Sequence, residues 1–159
     1  MKTAVVYFST NGNCAFVAKE LINVLDADLI RLHAADEKPR KSAAHFFWGC
    51  KLRLSRKNPP LQPYSFNPEA YDLIIIGAPI WAGSPAPPVR TFIAEAGITG
   101  KKVALFITHT GGKRKSLIKF RALLAGNDIA AEADFNSPLK NIEETKQRIA
   151  AWMKQVKSE

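Results

Sequence analysis

The sequence predicts an α/β protein: five strands interleaved with helices in a single domain, 1–159. Three observations carry that expectation. Strand-like and helix-like hydrophobic patterns alternate along the whole chain. Leu73-Ile74-Ile75-Ile76 is continuously apolar, as strands are in parallel sheets covered on both faces. The length of 159 residues, 47% of them hydrophobic, fits one domain with a sizeable core and leaves no room for a second.

The elements follow in order. Thr3 to Phe8 is β-branched and aromatic and stops at Ser9-Thr10-Asn11-Gly12-Asn13, which predicts a buried first strand. Phe16, Val17, Leu21, Val24 and Leu25 then recur at helical spacing. Asp28 to Leu32 is a short second strand, and Leu73 to Gly77 the third. A Pro/Gly loop leads to a helix over Val89, Phe92, Ile93 and Ala96, ended by Gly97 and Gly100. Val103 to Thr108 is the fourth strand, Leu117 to Leu124 the next helix, and Ile129 to Phe135 the fifth strand. Asn141 caps a closing helix that runs to about Val156, with Glu143 and Glu144 in its first turn. One stretch breaks the rhythm. Residues 33–70 are longer than a crossover helix needs and read as a helix extended by a basic, Pro-rich excursion.

Composition excludes several classes. No apolar run approaches a membrane span, and the first apolar stretch is too short for an export signal. A cytosolic location is therefore expected, with Cys14 and Cys50 reduced. Two isolated cysteines form neither a zinc site nor a CxxC pair. The net charge of +9 is uneven. Residues 31–60 carry Arg31, Lys38, Arg40, Lys41, Lys51, Arg53, Arg56 and Lys57 against Asp36 and Glu37. Residues 101–121 carry Lys101, Lys102, Lys113, Arg114, Lys115, Lys119 and Arg121 against no acid.

In open parallel sheets ligands bind at the carboxyl ends of the strands, so the loops after strands one, three and four are the candidate site. The first, Ser9-Thr10-Asn11-Gly12-Asn13-Cys14, puts small donors and backbone N–H groups at a helix N-terminus, an arrangement suited to an anion. The second runs Gly77-Ala78-Pro79-Ile80-Trp81-Ala82-Gly83-Ser84 into three further prolines. A Trp held on such a loop can stack on a flat heteroaromatic ring. The third, Thr108-His109-Thr110-Gly111-Gly112, frees the backbone to approach a planar ligand.

These segments resemble the flavodoxin family. The likeness rests on Tyr7-Phe8-Ser9 through Asn13 and on Ile76-Gly77-Ala78-Pro79-Ile80-Trp81, supported by Leu105 to Thr108 before Gly111-Gly112. It implies a flavodoxin-like, doubly wound sheet of order 2-1-3-4-5 and one FMN. The implied FMN-binding residues are Ser9, Thr10, Asn11, Gly12, Asn13 and Cys14 for the phosphate. Pro79, Ile80, Trp81, Ala82 and Gly83, with Thr108, His109, Thr110, Gly111 and Gly112, would hold the ring. Where the family commonly reads Thr-x-Thr-Gly-x-Thr, this chain has Ser9, Asn11 and Cys14 at the hydroxyl positions. Looser phosphate binding is expected, because a thiol is a weak donor. Cys14 stands in for Thr by size, and a helix N-terminus would also stabilise its thiolate.

The resemblance implies an electron-transfer protein, or alternatively an NAD(P)H-dependent FMN oxidoreductase acting on quinones or flavins. Both basic segments include residues that follow strands at the flavin edge. They would steer an acidic redox partner protein, or an anionic ligand such as NAD(P)H, toward the ring. Phe46, Phe47 and Trp48 beside basic residues imitate a nucleic-acid stacking platform. The expectation is that the helix buries them, so nucleic acid is not expected as a partner, nor is a membrane. Other doubly wound folds are excluded by residue. A receiver domain needs acidic residues where Phe8-Ser9 and Gly77-Ala78 stand, a low-molecular-weight tyrosine phosphatase needs a Cys where Ser9 stands, and a Rossmann dehydrogenase needs G-x-G-x-x-G around Gly12.

Overall fold

The computed structural model describes residues 1–38, 42–54, 57–113 and 115–158. Arg40, Lys41, Arg56 and Arg114 of the basic segments lie outside them. The elements in chain order are β1 (Thr3–Tyr7), α1 (Asn13–Val24), β2 (Ala27–Arg31), α2 (Ala43–Leu54), β3 (Leu73–Trp81), β4 (Ser84–Pro85), α3 (Pro87–Glu95), β5 (Lys102–His109), α4 (Ser116–Leu123), β6 (Asp128–Asn136) and α5 (Ile142–Ser158). The parallel strands lie in the order β2-β1-β3-β5-β6, and β4 pairs with the end of β3. Counted along the parallel strands alone, this is the expected 2-1-3-4-5.

Side-chain alternation explains the three layers. Ala4, Val6 and Phe8 of the first strand segment, with Ile74, Ile76 and Ala78 of β3, face one way and pack against Trp48 and Leu52 of α2, Val89 and Phe92 of α3, and Phe120 of α4. Val5, Tyr7, Leu73 and Ile75 face the other way, onto Val17, Ala18 and Leu21 of α1 and Ile149, Trp152, Met153 and Val156 of α5. The central strand β3 is apolar along its whole length because both of its faces are covered. No described helix is long and apolar enough to cross a membrane.

One close approach fixes the centre of the sheet. Gly77 of β3 pairs in register with Phe106 of β5, and a Cβ built on Gly77 would fall 1.9 Å from the Phe106 ring. The ring fills the space that a side chain at position 77 would need. It also meets Phe135 and Trp152 edge to face.

The 33–70 excursion is α2 followed by a Pro-rich limb that returns across α3. Thr91 Oγ1 on α3 donates to the Pro59 carbonyl at 2.7 Å, and Tyr64 OH donates to Glu95 at 2.8 Å. Tyr64 and Phe66 pack their rings on Phe92. α2 departs from expectation. Trp48 is buried, with its indole N–H donating to Asp36 at 2.9 Å, but Phe46 and Phe47 are 67% and 70% exposed. The helix turns Trp48 and Leu52, four residues apart, to the core, and that periodicity points the two preceding phenylalanines outward.

Candidate functional site

The strand order reverses between β1 and β3, so the carboxyl ends of these two strands bound a crevice. The loop after β1 turns through Gly12, whose φ of 92° lies in the left-handed region. Gly12 is the N-cap of α1, and having no side chain it offers no cap to the first-turn N–H groups. Within the loop, Asn11 Oδ1 accepts from the Asn13 N–H at 3.1 Å, which leaves the Asn11 amide hydrogens as donors. Asn13 Oδ1 instead accepts from Leu139 N–H, tying the loop to the segment after β6. Arg31 braces the loop from β2 through the Ser9 carbonyl at 3.1 Å. The Ser9 side chain is the exception in this network. Its residue is 1% exposed, and its hydroxyl has no hydrogen-bond partner.

Cys14 turns away from the loop. Its Sγ shares a 3.0 Å hydrogen bond with Thr108 Oγ1 on β5. Burial pushes its thiol pKa up to about 12, outweighing the hydrogen bonds with Thr108. The helix N-terminus therefore does not yield a stabilised thiolate here: desolvation wins. At pH 8 the thiolate fraction is on the order of 10⁻⁴, against roughly a quarter for an ordinary thiol. Titration of the native protein with a thiol reagent should give one fast equivalent from exposed Cys50, the second appearing only on unfolding. Two fast equivalents would overturn this placement.

The segment after Gly77 is a strand and a turn, where the prolines suggested a loop. β3 continues to Trp81, reverses through Ala82 (φ 50°) and Gly83 (φ 73°), and returns as β4, with Trp81 opposite Ser84. Two successive positive φ values make the tight turn that suits hairpins. The prolines are absorbed locally. Pro79 sits opposite Thr108 in the sheet, and Pro87 begins α3, where a missing N–H costs nothing. Trp81 is 9% exposed, edge-on to Phe8 at 5.7 Å. The Arg53 guanidinium, from the last turn of α2, lies 5.1 Å from its ring centre.

After β5, His109 is held by both ring nitrogens. Gly112 N–H donates to Nδ1 at 3.2 Å, so the proton sits on Nε2, which donates to Asp134 of β6 at 3.2 Å. Asp134 also takes Lys113 at 2.7 Å and Arg148 at 3.9 Å. Burial acts to raise the Asp134 pKa, but the Lys113 and His109 hydrogen bonds and the Lys113 and Arg148 charges outweigh it and hold the carboxyl below its ordinary range. His109 thus pins the 109–112 turn and has no nitrogen left to donate to a ligand. Lys113 is neutralised by Asp134 and contributes less to a positive rim than the sequence suggested. Nothing in the sequence flags Asp134 as a partner, since the contact depends on the β5–β6 register.

These segments meet in two adjoining clefts. One, of about 240 Å³, is lined by Thr10, Asn11, His45, Gly49, Arg53 and Trp81 among others. The second, of about 190 Å³, is lined by Asn11, Asn13, Pro79, Ile80, Trp81, Ala82, Thr108, His109 and Thr110, with Arg53. Of the expected site residues, Ser9, Gly12, Cys14, Gly83, Gly111 and Gly112 do not line either cleft directly. Ser9, Gly12 and Cys14 lie in or behind the loop, and Gly83 and Gly111-Gly112 belong to the turns at its margins. Arg53 and His45 join the site from α2, where the sequence offered only a run of basic charge.

A doubly wound sheet with a helix N-terminus, an aromatic wall and a pinned turn around one crevice is the architecture of a protein that holds a flat ring bearing an anionic group. The flavodoxin family model matches residues 2–156, and the chain belongs to the flavodoxin family. No functionally curated protein matches it. Among solved structures it is similar to a flavoprotein from Lactobacillus acidophilus in complex with FMN, at 23% identity and TM-score 0.69 over 88% of this chain and 97% of the other. It is similar also to Megasphaera elsdenii flavodoxin in its two-electron reduced form, at 19% identity and TM-score 0.62 over 98% of each chain. A flavodoxin described as WrbA-like from Agrobacterium tumefaciens matches at 17% identity and TM-score 0.56, over 99% of this chain and 98% of the other. Likeness at these identities establishes the shared fold.

Proposed function

We propose that this protein binds one FMN in the crevice and carries electrons to or from an acidic redox partner. The observation that carries the reading is the Ser9 hydroxyl, buried without a partner at the head of a helix-N-terminal loop. A buried polar group left unsatisfied costs about 1–3 kcal/mol, and a phosphate oxygen would satisfy it. The residues fit the group. Ser9, the Asn11 amide and the first-turn N–H groups of α1 would hold the phosphate. Trp81 and the 108–112 segment would bound the ring. Cys14 shares its hydrogen bond with Thr108 instead, and looser phosphate binding than the family pattern gives is the expected consequence. The FMN complex of the Lactobacillus relative supports the assignment. FMN, when bound, supplies reversible electron transfer.

For the partner, the support is α2. It presents Phe46 and Phe47 to solvent beside Lys51 and Arg53, an apolar centre with a cationic surround next to the ring cleft. Such a surface would attract an acidic protein and lose that attraction with salt, over a screening length of about 8–10 Å. A second reading, an NAD(P)H-dependent FMN oxidoreductase, is favoured by the likeness to the WrbA-like flavodoxin and by a cationic cavity beside Trp81.

Fluorescence titration tests the cofactor. FMN should quench one-to-one and bind at least about tenfold tighter than riboflavin, since each charge-assisted hydrogen bond to phosphate contributes roughly 1.5–3 kcal/mol. Equal affinities would remove the phosphate site. With FMN bound, steady oxidation of NAD(P)H by a quinone would favour the enzyme over the carrier.

A further inference from the structure

A cavity of about 340 Å³ adjoins Trp81 on the side toward α3 and α4, within the range of about 300–1,000 Å³ usual for small-molecule sites. Three cations from three helices enter it: Arg53 of α2, Arg90 of α3 and Lys119 of α4. Among the described residues lining it there is no carboxylate. The distribution is not forced by composition, because Asp134 and Glu132 neutralise Lys113 and Arg121 nearby. Lys119 Nζ donates to Ser84 Oγ at 3.3 Å, which holds the ammonium at the cavity wall and leaves the hydroxyl hydrogen as a further donor. Arg90 is half-buried, and desolvation draws its pKa down, so an anion beside it meets a weakly hydrated guanidinium. Arg53 spans this cavity and both ring clefts.

We propose that this cavity is a phosphate subsite, which takes the phosphate or pyrophosphate group of a small molecule through Arg53, Arg90, Lys119 and Ser84. Cations that converge with no carboxylate among the described lining residues repel one another, and a doubly charged group relieves that repulsion where a single carboxylate would do so only in part. Guanidinium forks also match phosphate oxygens in geometry. Trp81 walls both this cavity and the ring clefts, so an organic phosphate held here can extend along the indole toward the ring site. The subsite stands on this chain's own residues. Its use in redox chemistry, as the anchor of a phosphorylated nucleotide that exchanges hydride with the flavin, rests on the reading above.

The test is calorimetric titration at low ionic strength with inorganic pyrophosphate, 2′,5′-ADP and adenosine, on the protein with saturating FMN and on the protein without it. Pyrophosphate or 2′,5′-ADP should bind one-to-one in the FMN-saturated protein, and adenosine should not. Lys119→Gln should weaken the phosphate probes at least about tenfold. Lys154→Gln, which removes the same charge from an exposed position on α5, should leave them unchanged. Both substitutions should leave FMN affinity as it was. Binding of 2′,5′-ADP at least as tight as pyrophosphate supports an organic phosphate, and binding of pyrophosphate alone supports free phosphate. Absence of binding by both phosphate probes, or equal weakening by Lys119→Gln and Lys154→Gln, overturns the subsite. If FMN fails to bind, the proposed function falls, while the Lys119 dependence in the FMN-free protein still decides the subsite.

Discussion

Gly77→Ala is expected to destabilise the protein by about 2–3 kcal/mol or more, the upper part of the usual range for an overpacked core. The added methyl would sit 1.9 Å from the Phe106 ring, and the ring cannot simply swing aside. It is fully buried and confined by Phe135 and Trp152 at centroid distances of 6.3 and 6.2 Å. Either β3 and β5 separate, breaking the ladder on both sides of the site, or Phe106 leaves its rotamer and displaces α5. Phe106→Leu alone should also cost stability, since it opens space in the same cluster. The double variant should be less damaged than the sum of the two, because each change makes room for the other. Urea unfolding of the three variants measures this. A Gly77→Ala protein with the wild-type midpoint would mean that the core there repacks freely, and additive losses would mean that the two positions do not compete for one space.

The Gly77–Phe106 contact shows what could be read from the sequence and what could not. Alternating elements and apolar strands fixed the class of fold, since period and burial are local properties. The three loops were legible for the same reason: each is a change of composition at the end of a strand. Contacts that depend on register were not. Gly77 and Phe106 are separated by the β3–β4 hairpin and α3, and His109 meets Asp134 only because β6 lies beside β5 with His109 opposite Asn136. Without that register His109 looks like a free imidazole at a binding edge. In the structure it is a brace. Phe46 and Phe47 misled for a different reason. An apolar triplet reads as core, but only one residue in three or four of a helix can face a given sheet, and Trp48 takes that place. Trp81 was placed in a loop because four prolines surround it, yet two positive φ values at Ala82 and Gly83 let β3 run on and fold back.

Charge follows the same division between what is local and what is not. The sequence located two basic segments, and the structure separates their members by what they meet. Lys113 and Arg121 are paired with Asp134 and Glu132, Lys101 is paired with Glu69, and Arg53 and Lys119 turn toward the Trp81 cavity. Fewer cations are left without a carboxylate partner in these segments than the count of lysines and arginines suggests. Among the described residues, Arg53 is the cation that both the ring clefts and the neighbouring cavity share.

Ser9→Ala is expected to move stability and cofactor affinity in opposite directions. In the cofactor-free protein the hydroxyl is buried with no partner, so removing it relieves part of a desolvation penalty of about 1–3 kcal/mol. Stability should stay level or rise by about 1 kcal/mol. In the FMN-bound protein the same hydroxyl would donate to the phosphate, and losing a hydrogen bond to a charged group costs about 1.5–3 kcal/mol, or roughly a 10- to 100-fold loss of affinity. Riboflavin, which lacks the phosphate, should bind both proteins alike. The pairing of readouts separates two roles for Ser9. A residue that merely shapes the loop would lower stability and weaken FMN and riboflavin together, since Trp81 and the 108–112 turn share the crevice with it. A residue that receives the phosphate would weaken FMN alone, in a protein no less stable than before. An unchanged FMN affinity would move the phosphate off this loop altogether, leaving the buried hydroxyl without a ligand and the crevice without its anchor.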